Sequence, residues 1–370
     1  MEFDDNLKAN IWKHKARYNK DTGYTPEFVE SLNIISVDDF KNCSLEVQDM
    51  YVRDVISKIR TVNVFPIYRY TREGILQEIR SCFKKKIMFS GDRLRTQSYV
   101  GLTLLDFMFP NLHTIETGNS KRNNMYSRFY DDDKLAKCLN RHMKNYRFNN
   151  MRTPFFMYGR YFWQTATNFM PMRAKALCER FCKRRGTVYD FSAGYGGRML
   201  GTLSSANEYK YIACEPNTET WVNLHRLGQY IEIVSQRSHS YEVHNIGSED
   251  FILPKESVDF AYSCPPFYGL ERYTNEATQS FVKYPKYEDW LEHYVKPTIN
   301  NIYNCLKKDC FYAVILCDIY YINKKYLLRT DWDRIAISRG FVLHSIYGIN
   351  SKTRKANDNN EAVYVYRKAK

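Results

Sequence analysis

The chain has 370 residues, 44% of them apolar and 26% charged, with a formal net charge of +14 and a pI near 9.1. That length admits two domains with a full core in at least one, and the composition is that of a soluble globular protein. The positive excess points to polyanionic partners, nucleic acid before anionic membrane, against the plainer reading of a basic but inert surface. No apolar run approaches the roughly 18–20 residues of a membrane span.

The N-terminus, "MEFDDNLKANIWKHK", has no secretory pattern, and the ten cysteines, from Cys43 to Cys317, include no CxxC pair. Both point to a reducing, cytoplasmic setting with free thiols. Cys178 and Cys182 lie one helical turn apart, but no second pair completes a metal site, so packing is expected of them and no metal is. Helical patterns dominate the first 150 residues, as in "SLEVQDMYVRDVISKIRTV" and "TREGILQEIRSCFKKK". Lys84, Lys85, Lys86, Arg93 and Arg95 form a basic cluster there and are candidate nucleic-acid contacts, and a second basic cluster follows at Lys121, Arg122 and Arg128. The reading places a boundary near 150, between a mainly helical basic domain (1–150) and a second domain (151–370).

From about 187 onward short β-branched or aromatic runs alternate with helical patterns, the signature of a parallel sheet with crossovers. Strands are expected at 187–191, 209–215, 241–246, 257–263, 310–317, 341–349 and 362–368. The last two are joined only by the polar linker "NSKTRKANDNNE", which suits antiparallel pairing. The expected fold is α/β: a seven-stranded, mostly parallel sheet ending in an antiparallel hairpin.

Three segments carry chemistry. In "DFSAGYGG" (190–197), Gly194, Gly196 and Gly197 remove Cβ atoms where a strand turns into a helix, and the free N–H groups of that helix suit an anion. The next strand ends in "ACEPN", which puts Glu215 about 20 residues on, where a carboxylate can accept both hydroxyls of a ribose. Dinucleotides and S-adenosylmethionine share that layout, and a seventh antiparallel strand suits the methyltransferase arrangement. In "NIGSEDF", Glu249 and Asp250 either reach an adenine ring or cap a turn. The fourth strand runs into "SCPPFYGLERY" (263–273), where Pro265 and Pro266 end the strand and leave backbone carbonyls without ladder partners.

The ordered set "DFSAGYGG", "ACEPN", "SCPPFYGLERY" resembles the amino-group (N6-adenine and N4-cytosine) DNA methyltransferases, among them phage and giant-virus-type adenine methylases. The likeness covers roughly 150–370. It implies a Rossmann-like methyltransferase fold, S-adenosylmethionine as cofactor, double-stranded DNA as partner, and the N-terminal region as target-recognition domain. The family's Asp/Asn/Ser-Pro-Pro-aromatic tetrapeptide falls on Cys264, Pro265, Pro266 and Phe267, the implied catalytic residues. Asp190, Ser192, Gly194, Gly196, Glu215 and Asp250 are the implied cofactor contacts. The stretch "NFMPMRAKALCERF" looks like the family's pre-sheet motif and adds Asn168, Phe169 and Arg173.

The chemistry gives the corner a purpose. An exocyclic amine is a poor nucleophile until two acceptors draw its hydrogens away from the ring plane, and prolines hold such acceptors ready. Phe267 would stack on a flipped base, and Tyr268 and Tyr273, with Glu271 on the same loop, are candidates to meet nucleic acid. Cys264 departs from the pattern, because a thiol is a weaker acceptor than a carboxylate or amide. Either Ser263 or the backbone then does more of the work, or the thiolate is a nucleophile for C5 methylation of a pyrimidine, or the fold binds nucleic acid without methylating it. RNA stays open as substrate. Asp318, at a strand end, is either a ligand contact or a cap.

Overall fold

The computed structural model describes residues 22–86, 98–117, 123–349 and 361–369; Arg93, Arg95, Lys121 and Arg122 lie outside the described residues. Two compact units emerge: residues up to Gln77 together with His113–Ala166, and Glu78–Leu112 together with Thr167–Lys370. The division is therefore interleaved along the chain rather than a single break near 150. The reason is local chemistry at 78–112. The Lys175 ammonium donates to the carbonyls of Cys82, Phe83 and Lys85, at 3.0–3.1 Å, and so caps the C-terminal end of the helix Arg72–Lys84. Glu78 accepts the Gly101 N–H at 2.7 Å.

The first unit is helical. Ser44 and Asp131 accept N–H groups of Val47 and Lys134 and so start the helices Leu45–Val62 and Asp132–Met143. These pack with Arg152–Phe162 around Val55, Ile59, Phe65, Phe129, Leu139 and Phe155. Arg128 is internal rather than a surface cation: it is 1% exposed and donates to Thr165 Oγ1 and the Gln164 carbonyl at 2.9 and 2.7 Å.

The second unit is built on a seven-stranded sheet: β1 (Thr187–Asp190), β2 (Lys210–Cys214), β3 (Tyr241–His244), β4 (Val258–Ser263), β5 (Leu306–Leu316), β6 (Phe341–Gly348) and β7 (Ala362–Lys368). Their order is β6-β7-β5-β4-β1-β2-β3. β1 to β5 pair in parallel, while β7 runs antiparallel between β5 and β6. All seven expected strands form, in a Rossmann-like, mostly parallel sheet that ends, as expected, in the antiparallel hairpin β6–β7, with β6 at its edge. The winding reverses between β1 and β4, so their carboxyl ends flank the crevice in which such sheets place ligands. β5 begins at Leu306, ahead of the expected 310, because Leu306 already pairs with Val258. The sequence of 287–307, "YEDWLEHYVKPTINNIYNCLK", carries one continuous helical pattern, but the helix is split by a π turn at Leu291–Val295. Pro297 has no N–H for the carbonyl of His293, and its ring crowds that carbonyl. Among the described residues no helix is long and apolar enough to cross a membrane.

Candidate active site

Gly194 and Gly196 sit at φ +57° and +76°, in the left-handed region that carries β1 into the helix Gly197–Leu203. A Cβ on Gly197 would run into the Phe169 carbonyl, so this position lets the pre-sheet segment close on the turn. Asn168 secures it by donating to the Tyr195 carbonyl at 2.5 Å.

Asp190 is fully buried and organises the turn. Its carboxylate accepts from Arg198 Nε (2.8 Å), Tyr211 (2.7 Å), Ser263 (2.7 Å) and the Ser192 N–H (3.2 Å). Arg198 also donates to the Ser192 carbonyl and lies over the Phe169 ring. Burial pulls this guanidinium down, but Asp190, with Cys264, Tyr211 and Tyr262 behind it, outweighs that, so it holds its proton more tightly than usual. With four donors and no exposure, Asp190 is a framework residue and not the direct cofactor contact that the resemblance implies. Ser192 hydrogen-bonds the neighbouring Phe191 carbonyl.

Glu215 follows β2, and its two oxygens accept the Gly194 and Asn217 N–H groups at 2.8 and 2.9 Å. The turn and its acid are thus joined directly. Burial, against those two N–H groups, pushes the carboxyl up to about 7. Further along the carboxyl edge, Lys283 bridges Glu249 and Asp250 at 2.7 Å each. Asp250 is exposed in this pair, whereas Glu249 is buried, its Oε2 has no partner among the described residues, and burial raises its carboxyl. The buried member, Glu249, is therefore the better placed of the two for a ligand.

The proline corner meets the same network. Ser263, the last residue of β4, is fully buried and donates its hydroxyl to Asp190 and the Ser192 carbonyl, which ties the corner to the glycine turn. Beyond it, among the described residues, the Cys264 thiol and the Pro265 carbonyl have no hydrogen-bond partner. Burial, followed by Glu361, pushes the Cys264 thiol well above its ordinary range. Phe267 is half-buried. Tyr268 is the correction here: it is core, 7% exposed, with its hydroxyl on the Pro285 carbonyl and its ring among Tyr287, Trp290 and Tyr326. Its φ of +47° is a strained value for a bulky side chain, held by that packing.

Past the corner, Tyr273 donates to Glu271 at 2.6 Å, and its ring lies 6.5 Å from that of Tyr195 in the glycine turn. Burial raises the Glu271 carboxyl against this hydrogen bond, and Glu361 adds to the rise. Both tyrosine and carboxylate therefore face the crevice side of the corner instead of standing free in solvent. The loop then returns to the acid: Glu276 accepts the Thr218 hydroxyl at 2.8 Å, and Thr278 donates to the Pro216 carbonyl at 3.0 Å.

The fold has counterparts among solved structures. The [4+2]-cyclase SpnF matches at 11% identity over 54% of this chain and 81% of its own (TM-score 0.40). A geranyl diphosphate C-methyltransferase from Streptomyces coelicolor, solved with S-adenosyl-L-homocysteine, matches at 10% over 51% and 76% (0.37). A tRNA (m1A58) methyltransferase from Aquifex aeolicus matches at 11% over 55% and 70% (0.36). No protein-family model matches the sequence and no curated protein is similar to it.

Asp318 caps a turn by accepting the Arg329 N–H at 3.1 Å. Lys84, Lys85 and Lys86 are exposed at the end of their helix. Sequence reasoning passed over Arg198, Glu361 and the Glu276–Thr218 contact. A hint for Arg198 was its place right after the glycines, where a cation can close the turn. Nothing local marks Glu361 or Glu276.

Proposed function

We propose that this chain is an S-adenosylmethionine-dependent methyltransferase acting on the exocyclic amine of a flipped base, with adenine N6 in double-stranded DNA as the first choice. One observation carries the reading: Ser263, at the mouth of the proline corner, is hydrogen-bonded at 2.7 Å to Asp190, which frames the glycine turn beside Glu215. The cofactor half and the corner are thereby one construction.

The crevice residues suit the cofactor. A Cβ at Gly194 would meet nothing closer than Arg198 Nη2 at 3.4 Å, so the turn faces open space, and Glu249 brings a buried oxygen without a partner. Glu215 would hold the ribose hydroxyls, Glu249 the adenine, and Asn168 and Phe169 the methionine end. When bound, S-adenosylmethionine supplies an electrophilic methyl group. The Pro265 carbonyl accepts one hydrogen of the target amine and the Cys264 sulfur, weakly, the other, which aims the nitrogen lone pair. Phe267 stacks on the base. The Glu271 carboxylate is the nearby group suited to receive the proton that the amine releases.

The raised Cys264 thiol stays protonated near neutral pH, which argues against attack by a thiolate on a pyrimidine. The weakness of that same thiol as an acceptor favours a second reading, a nucleic-acid-binding protein without transfer. The test is incubation with methyl-labelled S-adenosylmethionine and either duplex DNA or RNA, then mass spectrometry of the nucleosides. N6-methyladenine in DNA is the expected product. 5-Methylcytosine, or cofactor binding with neither polymer labelled, would overturn the reading.

A further inference from the structure

The strongest uncommitted charge in the helical unit lies on one helix face. Lys137, Arg141 and Lys144 follow one another at four- and three-residue spacing on and just past the helix Asp132–Met143, so they share a stripe. Among the described residues none of the three has a carboxylate partner. Two acidic neighbours share one cation: Asp133 pairs with Arg53 at 2.8 Å, and Arg53 also meets Asp49 at 3.6 Å. The stripe lines a groove of about 530 Å³ together with Arg53, both of these acids, Tyr161 and Phe162, so cations outnumber carboxylates in it. That volume is within the roughly 300–1,000 Å³ of clefts that take small ligands or single groups.

The aromatic side completes the chemistry. Tyr161 is 68% exposed, and its neighbour Phe162 lies under the Lys137 ammonium at 4.5 Å. Cations in a row with an open ring beside them are what an unpaired nucleotide strand needs: phosphates along the stripe, a base on the ring. A duplex offers no free base face, and its bases are reached only through the grooves.

We propose that this groove of the helical unit binds single-stranded nucleic acid, with phosphates on Lys137, Arg141 and Lys144 and one base stacked on Tyr161. The groove is lined by residues of the helical unit alone, and the proposal does not depend on whether the chain transfers methyl groups. The test uses the full chain without cofactor. Dye-labelled oligothymidine, oligouridine and a duplex of equal length are titrated by fluorescence anisotropy at several salt concentrations.

The expected order is single strand over duplex, with thymidine and uridine strands distinguishing a DNA site from an RNA site. The combined change Lys137→Glu, Arg141→Glu, Lys144→Glu should weaken strand binding at least about 10-fold and flatten the slope of log affinity against log salt by about 2. Tyr161→Ala should weaken it roughly 5- to 100-fold with the slope unchanged. The neutral set Lys137→Gln, Arg141→Gln, Lys144→Gln, checked by thermal melting, repeats the first test without charge reversal. Tighter binding to duplex, unchanged affinity and slope in both charge variants, or loss of binding on reversing Lys84, Lys85 and Lys86 instead, would overturn the proposal.

Discussion

Around the glycine turn of the sheet unit and along one helix of the helical unit, charge is used in opposite ways. In the sheet unit it is turned inward: Asp190 is saturated by four donors, Arg198 is buried on it, and Lys175 is spent on three carbonyls. In the helical unit the stripe of Lys137, Arg141 and Lys144 is left facing solvent. A net charge of +14 is thus a poor guide to where a polyanion would bind, because some cations are framework. What identifies a contact surface is cations that lack partners, not cations that are close together in sequence.

The sharpest way to break the contrast is to unbalance the buried side. Asp190→Ala leaves Arg198 buried without its anion, and the expected loss of stability is about 3–5 kcal/mol, read as a shift of the urea midpoint. If the midpoint stays put, the buried pair is not what holds the glycine turn. Next comes Glu215→Gln, which removes a charged acceptor at the ribose position and should weaken S-adenosylmethionine binding roughly 10- to 100-fold by calorimetry; because both oxygens accept backbone N–H groups, the amide also leaves one of these unpaired, at a cost of about 1–3 kcal/mol in stability.

The same carboxyl gives a pH dependence. Burial pushes Glu215 up to about 7 in the folded chain, so it takes up protons there that the unfolded chain has already released. Its contribution to stability is therefore greatest at low pH and is lost as pH rises toward and through about 7. Cofactor affinity should move the other way, rising through the same window as the ionised acceptor forms, and Glu215→Gln should flatten that profile. A wild-type affinity that is flat from pH 6 to about 8 would remove Glu215 from the ribose role.

A smaller effect is expected at Cys264. Cys264→Ala should cost less than about 10-fold in methyl transfer, since a neutral thiol is a weak acceptor, whereas a loss of more than about 1,000-fold would mark it as a covalent nucleophile. Cys264→Asp should retain or raise activity by restoring a strong acceptor.

The glycine turn, its acid and the corner were legible because each depends on residue types at short spacing: glycines where φ is positive, a carboxylate one strand later, prolines where a strand must stop. The division of labour among them was not. Ser263 and Asp190 are 73 positions apart, and only folding shows the hydrogen bond that joins the corner to the glycine turn. Phe267 and Tyr268 are adjacent aromatics that look equivalent in the sequence, yet the positive φ at Tyr268 turns its ring into the core. Likewise the run at 287–307 carries one helical pattern, and the π turn shows only when the proline is weighed against the carbonyl four residues before it.

The placement of 78–112 with the sheet bears on synthesis. That segment leaves the ribosome well before β1 is made, carrying Leu104, Leu105 and Phe109, all buried in the finished protein. Until the glycine turn arrives, Gly196 cannot receive the Phe109 ring and Lys175 cannot cap the waiting helix. The nascent chain must therefore carry an apolar stretch in search of a core, a natural client for a holding chaperone, and the sheet unit can complete itself only after most of the chain has been translated.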